Sequence, residues 1–258
     1  MSGVVTYEVH EHVALVTLNR PEVLNAWTTE MGREYLRHMD EAAVDADVRA
    51  VVVTGAGRAF SAGADLSMIR GLMSGRRPPP ESVRRDDLVE PAVPKPVIAA
   101  INGLCVGLGL VRALYCDVRF LSVDAEITTL FAQRGLVAEH GVSWLLPRIV
   151  GLSRALDLLM SSRTIGSDEA FRIGLVDHVV DDAGKAAVEY AQRIARTCSP
   201  AAMRDIKRQV WSDTNRPLSD SVERSIALME GSFRRPDLAE GVVSYLEKRP
   251  ADFPPLSE

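Results

Sequence analysis

The segment Val97-Ile98-Ala99-Ala100-Ile101-Asn102-Gly103-Leu104-Cys105-Val106-Gly107-Leu108-Gly109 couples an apolar, β-branched run to a glycine-rich turn. The residues after this turn, through Tyr115, read as a helix. A second stretch repeats the pattern: Val51-Val52-Val53-Thr54 leads to Phe60-Ser61-Ala62-Gly63-Ala64-Asp65-Leu66, with a short helix predicted from Asp65. A strand that ends in such a turn and restarts as a helix leaves backbone N–H groups unpaired at the helix start. Two such turns brought together could aim two N–H groups at one oxygen.

Outward from these segments, Val4 to Glu8 and Val13 to Asn19 form an opening hairpin around His10-Glu11-His12. A helix follows from an N-cap at Thr28, with Met31, Tyr35, Met39 and Ala42 or Ala43 on one stripe. Residues from about Gly71 to Pro94 lose periodicity and carry the pairs Arg76-Arg77 and Arg84-Arg85. Those pairs read as a solvated face or as a flap that meets phosphates. Strand Val118 to Ser122, a turn and helix over Gly135 to Ile149 and a last strand from Leu175 to Val180 complete the pattern. Beyond Asp181 only helices are expected, one starting at Ser199-Pro200, a serine cap before a proline. Early strands and late helices predict an α/β core at 1–199 and a helical piece at 200–258 that must pack on the body or on a neighbouring subunit.

Composition narrows the class. The chain has 258 residues, 47% apolar and 25% charged, with a net charge of −5 and no basic run. That argues against nucleic acid as a partner. No apolar run reaches the length of a membrane span, so no membrane partner is expected. Cys105, Cys116 and Cys198 have no metal-like spacing and read as reduced cysteines of a cytoplasmic protein. His10 and His12 lack an evident third ligand and read as exposed hairpin residues, so no metal site is expected.

Two other motifs compete for the glycine turns. Gly103-x-x-x-Gly107-x-Gly109 is similar to a dinucleotide-binding turn, but it lies mid-chain and no Tyr-x-x-x-Lys pair accompanies it. Ala59-Phe60-Ser61-Ala62-Gly63 is one residue away from a nucleophile elbow, where Ser61 reads better as a packing or capping residue.

Asn19-Arg20-Pro21 with Leu24-Asn25-Ala26, Phe60 to Leu66, Ala100 to Gly109, Cys116-Asp117-Val118, Leu146-Pro147-Arg148, Glu169-Ala170 with Gly174-Leu175-Val176, and Glu247-Lys248-Arg249 with Phe253 stand in register along the chain. Together they resemble the crotonase (enoyl-CoA hydratase/isomerase) superfamily. The resemblance implies a ClpP-like spiral of ββα units and a C-terminal helical trimerisation region, giving a homotrimer or dimer of trimers. It also implies a coenzyme A thioester as substrate, with no cofactor besides the coenzyme A that the substrate carries.

Carried across residue by residue, the family's oxyanion hole falls on the amides of Ala64 and Leu108. The carbonyl of Ala62, beside Gly63, Asp65 and Leu66, would meet the adenine amino group. Val23 and Leu24 would line the bent coenzyme, and Lys248 would approach a phosphate. Family members usually have glycine where this chain has Leu108. The backbone donor survives that change, with an ordinary φ and a narrower pocket. The positions of the two glutamates of typical hydratases hold Val111 and Phe131 here. A third acidic position, used in isomerase branches, holds Glu139, with His140 beside it as an orienting or water-binding residue and Trp144 as pocket wall. A lone carboxylate near an oxyanion hole suits proton abstraction and return. The expectation is a double-bond isomerase. Hydration and binding without catalysis are the alternatives.

Overall fold

The computed structural model describes residues 3–75 and 89–256. The arginine pairs at 76–77 and 84–85 lie outside the described residues.

The opening hairpin forms as β1 (Val5–His10) and β2 (Val13–Leu18), antiparallel. Parallel strands β3 (Ala50–Gly55), β5 (Val97–Ile101), β7 (Val118–Ser122) and β10 (His178–Val180) extend it into a six-stranded sheet of order β1-β2-β3-β5-β7-β10. The apolar run Val51-Val52-Val53 is continuous because both faces of this sheet are covered. Val51, Val53, Val97, Ala99 and Ile101 pack with Met31, Tyr35 and Met39 of α1 (Thr29–Val44). Ala50, Val52, Ile98, Ala100 and Phe120 pack on the other face against Ala183, Ala187, Ala191 and Ile194 of the helix Ala183–Thr197. Thr28 caps α1 by accepting from Met31 N, as its sequence predicts.

Reading each glycine segment as strand, turn and helix misses a second sheet. Each turn contains a three-residue strand, β4 (Ala59–Ser61) after β3 and β6 (Leu104–Val106) after β5. They pair in parallel and join β8 (Glu126–Thr128) and β9 (Ile165–Gly166) in the order β4-β6-β8-β9. Strands this short carry no periodicity, so only their pairing identifies them. The other corrections are boundaries. The segment 71–94 is helical at its described ends, in α2 (Leu66–Met73) and α3 (Val89–Ala92). The strand predicted from Leu175 begins at His178, while the turn and helix predicted over Gly135 to Ile149 form, with the helix as α5 (Val142–Val150).

Helices α6 (Leu152–Ser161) and α7 (Ser167–Arg172) precede β10, and the helix Ala183–Thr197 is α8. Three helices close the chain: α9 (Pro200–Asp213), α10 (Leu218–Ser232) and α11 (Pro236–Glu247). Ser199 caps α9 by accepting from Ala202 N. Between residues 200 and 256 only Pro200, Lys207, Ser244 and Phe253 are buried. No described helix is long and apolar enough to cross a membrane.

A buried polar cluster joins these layers beneath α4 (Leu108–Tyr115). Glu90 is wholly buried, accepts from Tyr35 Oη at 2.8 Å and faces Arg112 Nη1 at 3.6 Å. Burial pushes its carboxyl pKa up, against the pull of Arg112. Lys207 Nζ donates to the carbonyls of Glu90 (2.6 Å) and Lys95 (3.0 Å) and pairs with Asp117 at 2.8 Å. Asp117 in turn accepts from Val97 N, the first residue of β5. Lys95 Nζ donates to the carbonyls of Ala42 and Asp45 at the end of α1, and burial pulls its pKa down to about 8.

Removing one partner of a buried pair leaves the other charge uncompensated. Glu90→Ala is therefore expected to cost about 3–5 kcal/mol of folding stability. Urea denaturation would read this as a lower midpoint at unchanged slope. A loss below about 1 kcal/mol, the scale of an exposed pair, would contradict the sealed cluster.

Candidate active site

The parallel pairing of β4 with β6 places the two glycine turns side by side at the carboxyl ends of adjacent strands. Strands paired this way run about 4.8 Å apart, which sets the scale on which the turns meet. Asn102 joins the two crossings from β3 to β4 and from β5 to β6. Its Oδ1 accepts from Gly55 N and its Nδ2 donates to Gly57 O.

The first turn is laced to the segment 20–27. Asn25 is fully buried, accepts from Arg20 N, and donates through Nδ2 to the carbonyls of Ala56 and Ala59. Ser61 Oγ donates to Asn25 O and accepts from Gly63 N. Ser61 is fully buried and so engaged, which makes it a brace and not a nucleophile. Ala62 N donates to Leu24 O, Trp27 N to Gly63 O, and Asp65 N to Trp27 O. The amides of Ala62, Gly63 and Asp65 are thus all spent. The Ala64 amide donates to no acceptor among the described residues, and Ala64 is exposed. Asp65 anchors the start of α2. Hydrogen bonds from the Ser67 hydroxyl and amide, and then from the Arg20 guanidinium, hold its carboxyl at about 2.

The second turn ends at Gly107 (φ +49°, ψ −114°), whose N–H donates to Thr128 O of β8. Leu108 then opens α4 with an ordinary φ, as expected of a side-chain-bearing residue there. Its amide is one of the orphan donors of a helix start and meets no acceptor among the described residues. Gly63 has φ +85°, and a Cβ built on it would lie 3.0 Å from Val106 O and 3.7 Å from Leu108 N. The two turns therefore abut. Val111 and Phe131, the residues expected from the resemblance to replace two carboxylates, are buried at 1% and 6% exposure.

Glu139 and His140 are half-buried in the turn before α5. His140 (φ +53°) and Gly141 (φ +72°) are consecutive left-handed residues. The turn is fastened to the far end of α4, where Tyr115 Oη donates to His140 O at 2.7 Å. Trp144 is half-buried against the core, with the Arg148 guanidinium 3.9 Å over its ring. Val23 is 40% exposed, and half-buried Leu24 touches the first turn through its carbonyl. Leu66 is exposed, and Lys248 is the exposed left-handed cap of α11. The stretch after α11 is held at Phe253 O by Arg49, just ahead of β3, at the opposite end of that strand from the turns.

The fold thus gathers Leu24, Ala62, Gly63, Ala64, Asp65 and Leu108, with Val111 bonded to Gly107 of the second turn and Phe131 in the core. Glu139 connects to them through α4. Sequence reasoning missed the Tyr35–Glu90 half of the buried cluster. Its one visible signal is Arg112 on an apolar helix, which the fold pairs with Glu90.

A family model described as Enoyl-CoA hydratase/isomerase matches residues 8–255. A Rhodobacter capsulatus protein named "Probable enoyl-CoA hydratase" is 35% identical over 96% of this chain and 97% of its own. The 1,2-epoxyphenylacetyl-CoA isomerase of Escherichia coli is 32% identical over 95% of this chain and 96% of its own. The crystal structure of an enoyl-CoA hydratase from Bacillus anthracis superposes with a TM-score of 0.88 at 29% identity, covering 97% of this chain and 98% of that one.

Gly63→Ala tests the abutting turns. A left-handed alanine costs about 1–2 kcal/mol, and here its methyl would also press on Val106 O. Gly75 has φ +83°, and a Cβ built on it meets no atom of the described residues within 4 Å, so Gly75→Ala tests the conformational cost without that contact. Chemical denaturation should show a larger loss for Gly63→Ala. Equal losses would mean that the turns stand apart.

Proposed function

From the premise that this chain belongs to the enoyl-CoA hydratase/isomerase family, we propose that it is an enzyme that shifts a carbon–carbon double bond in an acyl-CoA thioester. The observation that carries this reading is the pair of unspent amides, Ala64 and Leu108, on two abutting turns. A thioester carbonyl seated between them gains full negative charge only as the enolate forms, so fixed donors favour the transition state over the substrate. One such donor is typically worth about 2.7–4 kcal/mol.

Glu139 supplies the proton transfers. Its carboxylate takes a proton from C2 of a 3-enoyl thioester, and the electron pair moves to the carbonyl oxygen as a dienolate. The same group, now a carboxylic acid, returns the proton to C4 while the double bond settles between C2 and C3. The reaction changes no net oxidation state, so the proposal calls on no metal or redox cofactor. Ala62 O is left to meet the adenine amino group, Val23 and Leu24 to line the coenzyme and Lys248 to approach a phosphate. The two hydratase carboxylates are replaced by Val111 and Phe131. That favours isomerisation, because adding water to an enoyl thioester ordinarily engages a second acid–base group. Hydration is the second reading, favoured by the relatives named as hydratases.

The oligomer belongs to the same proposal. Ile206, Val210, Ile226, Met229, Phe233, Val242 and Leu246 on α9 to α11 are between 47% and 72% exposed, an apolar surface suited to a homotrimer or dimer of trimers. Three free cysteines fit a cytoplasmic setting.

Separate incubations with 3-enoyl-CoA and 2-enoyl-CoA are expected to show rapid isomerisation and slow hydration. Glu139→Gln should lower isomerisation by about 10²–10⁴-fold, the usual contribution of a general base. Full turnover by that variant would remove Glu139 from the mechanism. Hydration alone would favour the second reading, and thioester binding without turnover would leave a binding protein. Sedimentation velocity should give three or six times the 28.2 kDa chain mass. A monomer would contradict the assembly.

A further inference from the structure

We propose that Tyr115 is a positioning residue for Glu139, using α4 as a rigid spacer between the oxyanion donors and the base. This rests on the roles given above to Leu108 and Glu139. The first residue of α4 carries the Leu108 amide and its last is Tyr115, so both ends of one helix of about 12 Å serve the same reaction.

Tyr115 is 4% exposed, and its hydroxyl donates to the carbonyl of His140, the residue after Glu139, at 2.7 Å. A Cβ on Gly141 would come within 2.6 Å of that hydroxyl, so the turn lies directly on the tyrosine. His140 and Gly141 are both left-handed, and a non-glycine residue keeps that conformation when its surroundings hold it. The tyrosine is itself held. Trp211 of α9 stacks on its ring at 6.2 Å between centroids and 27° between planes, and Trp211 Nε1 donates to Asp117 Oδ1 at 3.5 Å. The brace thus runs from the carboxyl-terminal helices through Trp211 and Tyr115 to the turn of the base. A hydroxyl that fixes the backbone beside Glu139 sets where its carboxylate stands relative to the substrate carbon. Misplacement of a reacting group by about 1 Å costs on the order of 10²-fold in rate.

The test is a double-mutant cycle on 3-enoyl-CoA isomerisation with Tyr115→Phe and Glu139→Gln. Tyr115→Phe keeps the ring and its stacking and removes only the hydroxyl. It should lower kcat by about 10–10²-fold and leave KM within about threefold. In the Glu139→Gln background it should cause no further loss, because the group it positions is gone. Wild-type kcat in Tyr115→Phe, or an equal factor lost in both backgrounds, would overturn the proposal, the latter marking a purely structural role. Gly141→Ala approaches the same contact from the turn and should repeat the pattern, which decides the matter if Tyr115→Phe does not fold. Full turnover in Glu139→Gln would show that the base itself is misassigned, and this inference would fall with it. A slow Glu139→Gln beside an unaffected Tyr115→Phe would remove the positioning role alone.

Discussion

The parallel pairing of two three-residue strands, β4 and β6, is the contact on which the candidate site depends. Each strand is too short to persist alone, and together they bring turns from distant parts of the chain to one edge. The segment 20–27 then completes the first turn by taking up its polar groups one at a time. Leu24 O, Trp27 O and the brace of Asn25 and Ser61 consume the amides on either side of Ala64 and leave that one N–H without an acceptor among the described residues. The Leu108 amide is unspent for a different reason, since it opens a helix. A local lacing and a helix terminus converge on the same result, a backbone donor with no acceptor among the described residues.

The cost of holding this edge in place is met deep in the molecule. α1, α3, α4 and α9 meet around the buried Tyr35, Glu90, Arg112 and Lys207, and Asp117 carries that cluster to the first residue of β5. Replacing such a cluster with apolar side chains is often neutral or stabilising in other proteins, so it is weak evidence for stability as such. Its position is more informative. It ties the helix that carries Leu108 to the helix whose first turn follows Trp27, and so links the two halves of the candidate site by a route independent of the strands.

In the proposed reaction, the site differs from a two-carboxylate arrangement in where its acid–base group would stand. Val111 and Phe131 are buried apolar residues, and Glu139 sits on a turn anchored at the opposite end of α4. A single acid–base group can accept and return one proton without help. In the proposed reaction that suffices, whereas water addition ordinarily engages a second such group.

Much of this was legible in the residues themselves. The apolar, β-branched runs marked the strands β3 and β5, and Thr28 and Ser199 marked two helix starts that the fold confirms. The glycine segments predicted turns with open donors at two positions. Only the tertiary structure decided what those turns do. The strands β4 and β6 have no periodicity to read. Glu90 and Arg112 are far apart in sequence, and the bond from Tyr115 to His140 joins two segments that no local pattern connects. Local propensity and burial pattern are written along the chain, where neighbours dictate them. The partner of a buried charge, or the one amide left without an acceptor, is settled by which segments the packed core brings together, and that appears only once the core has formed.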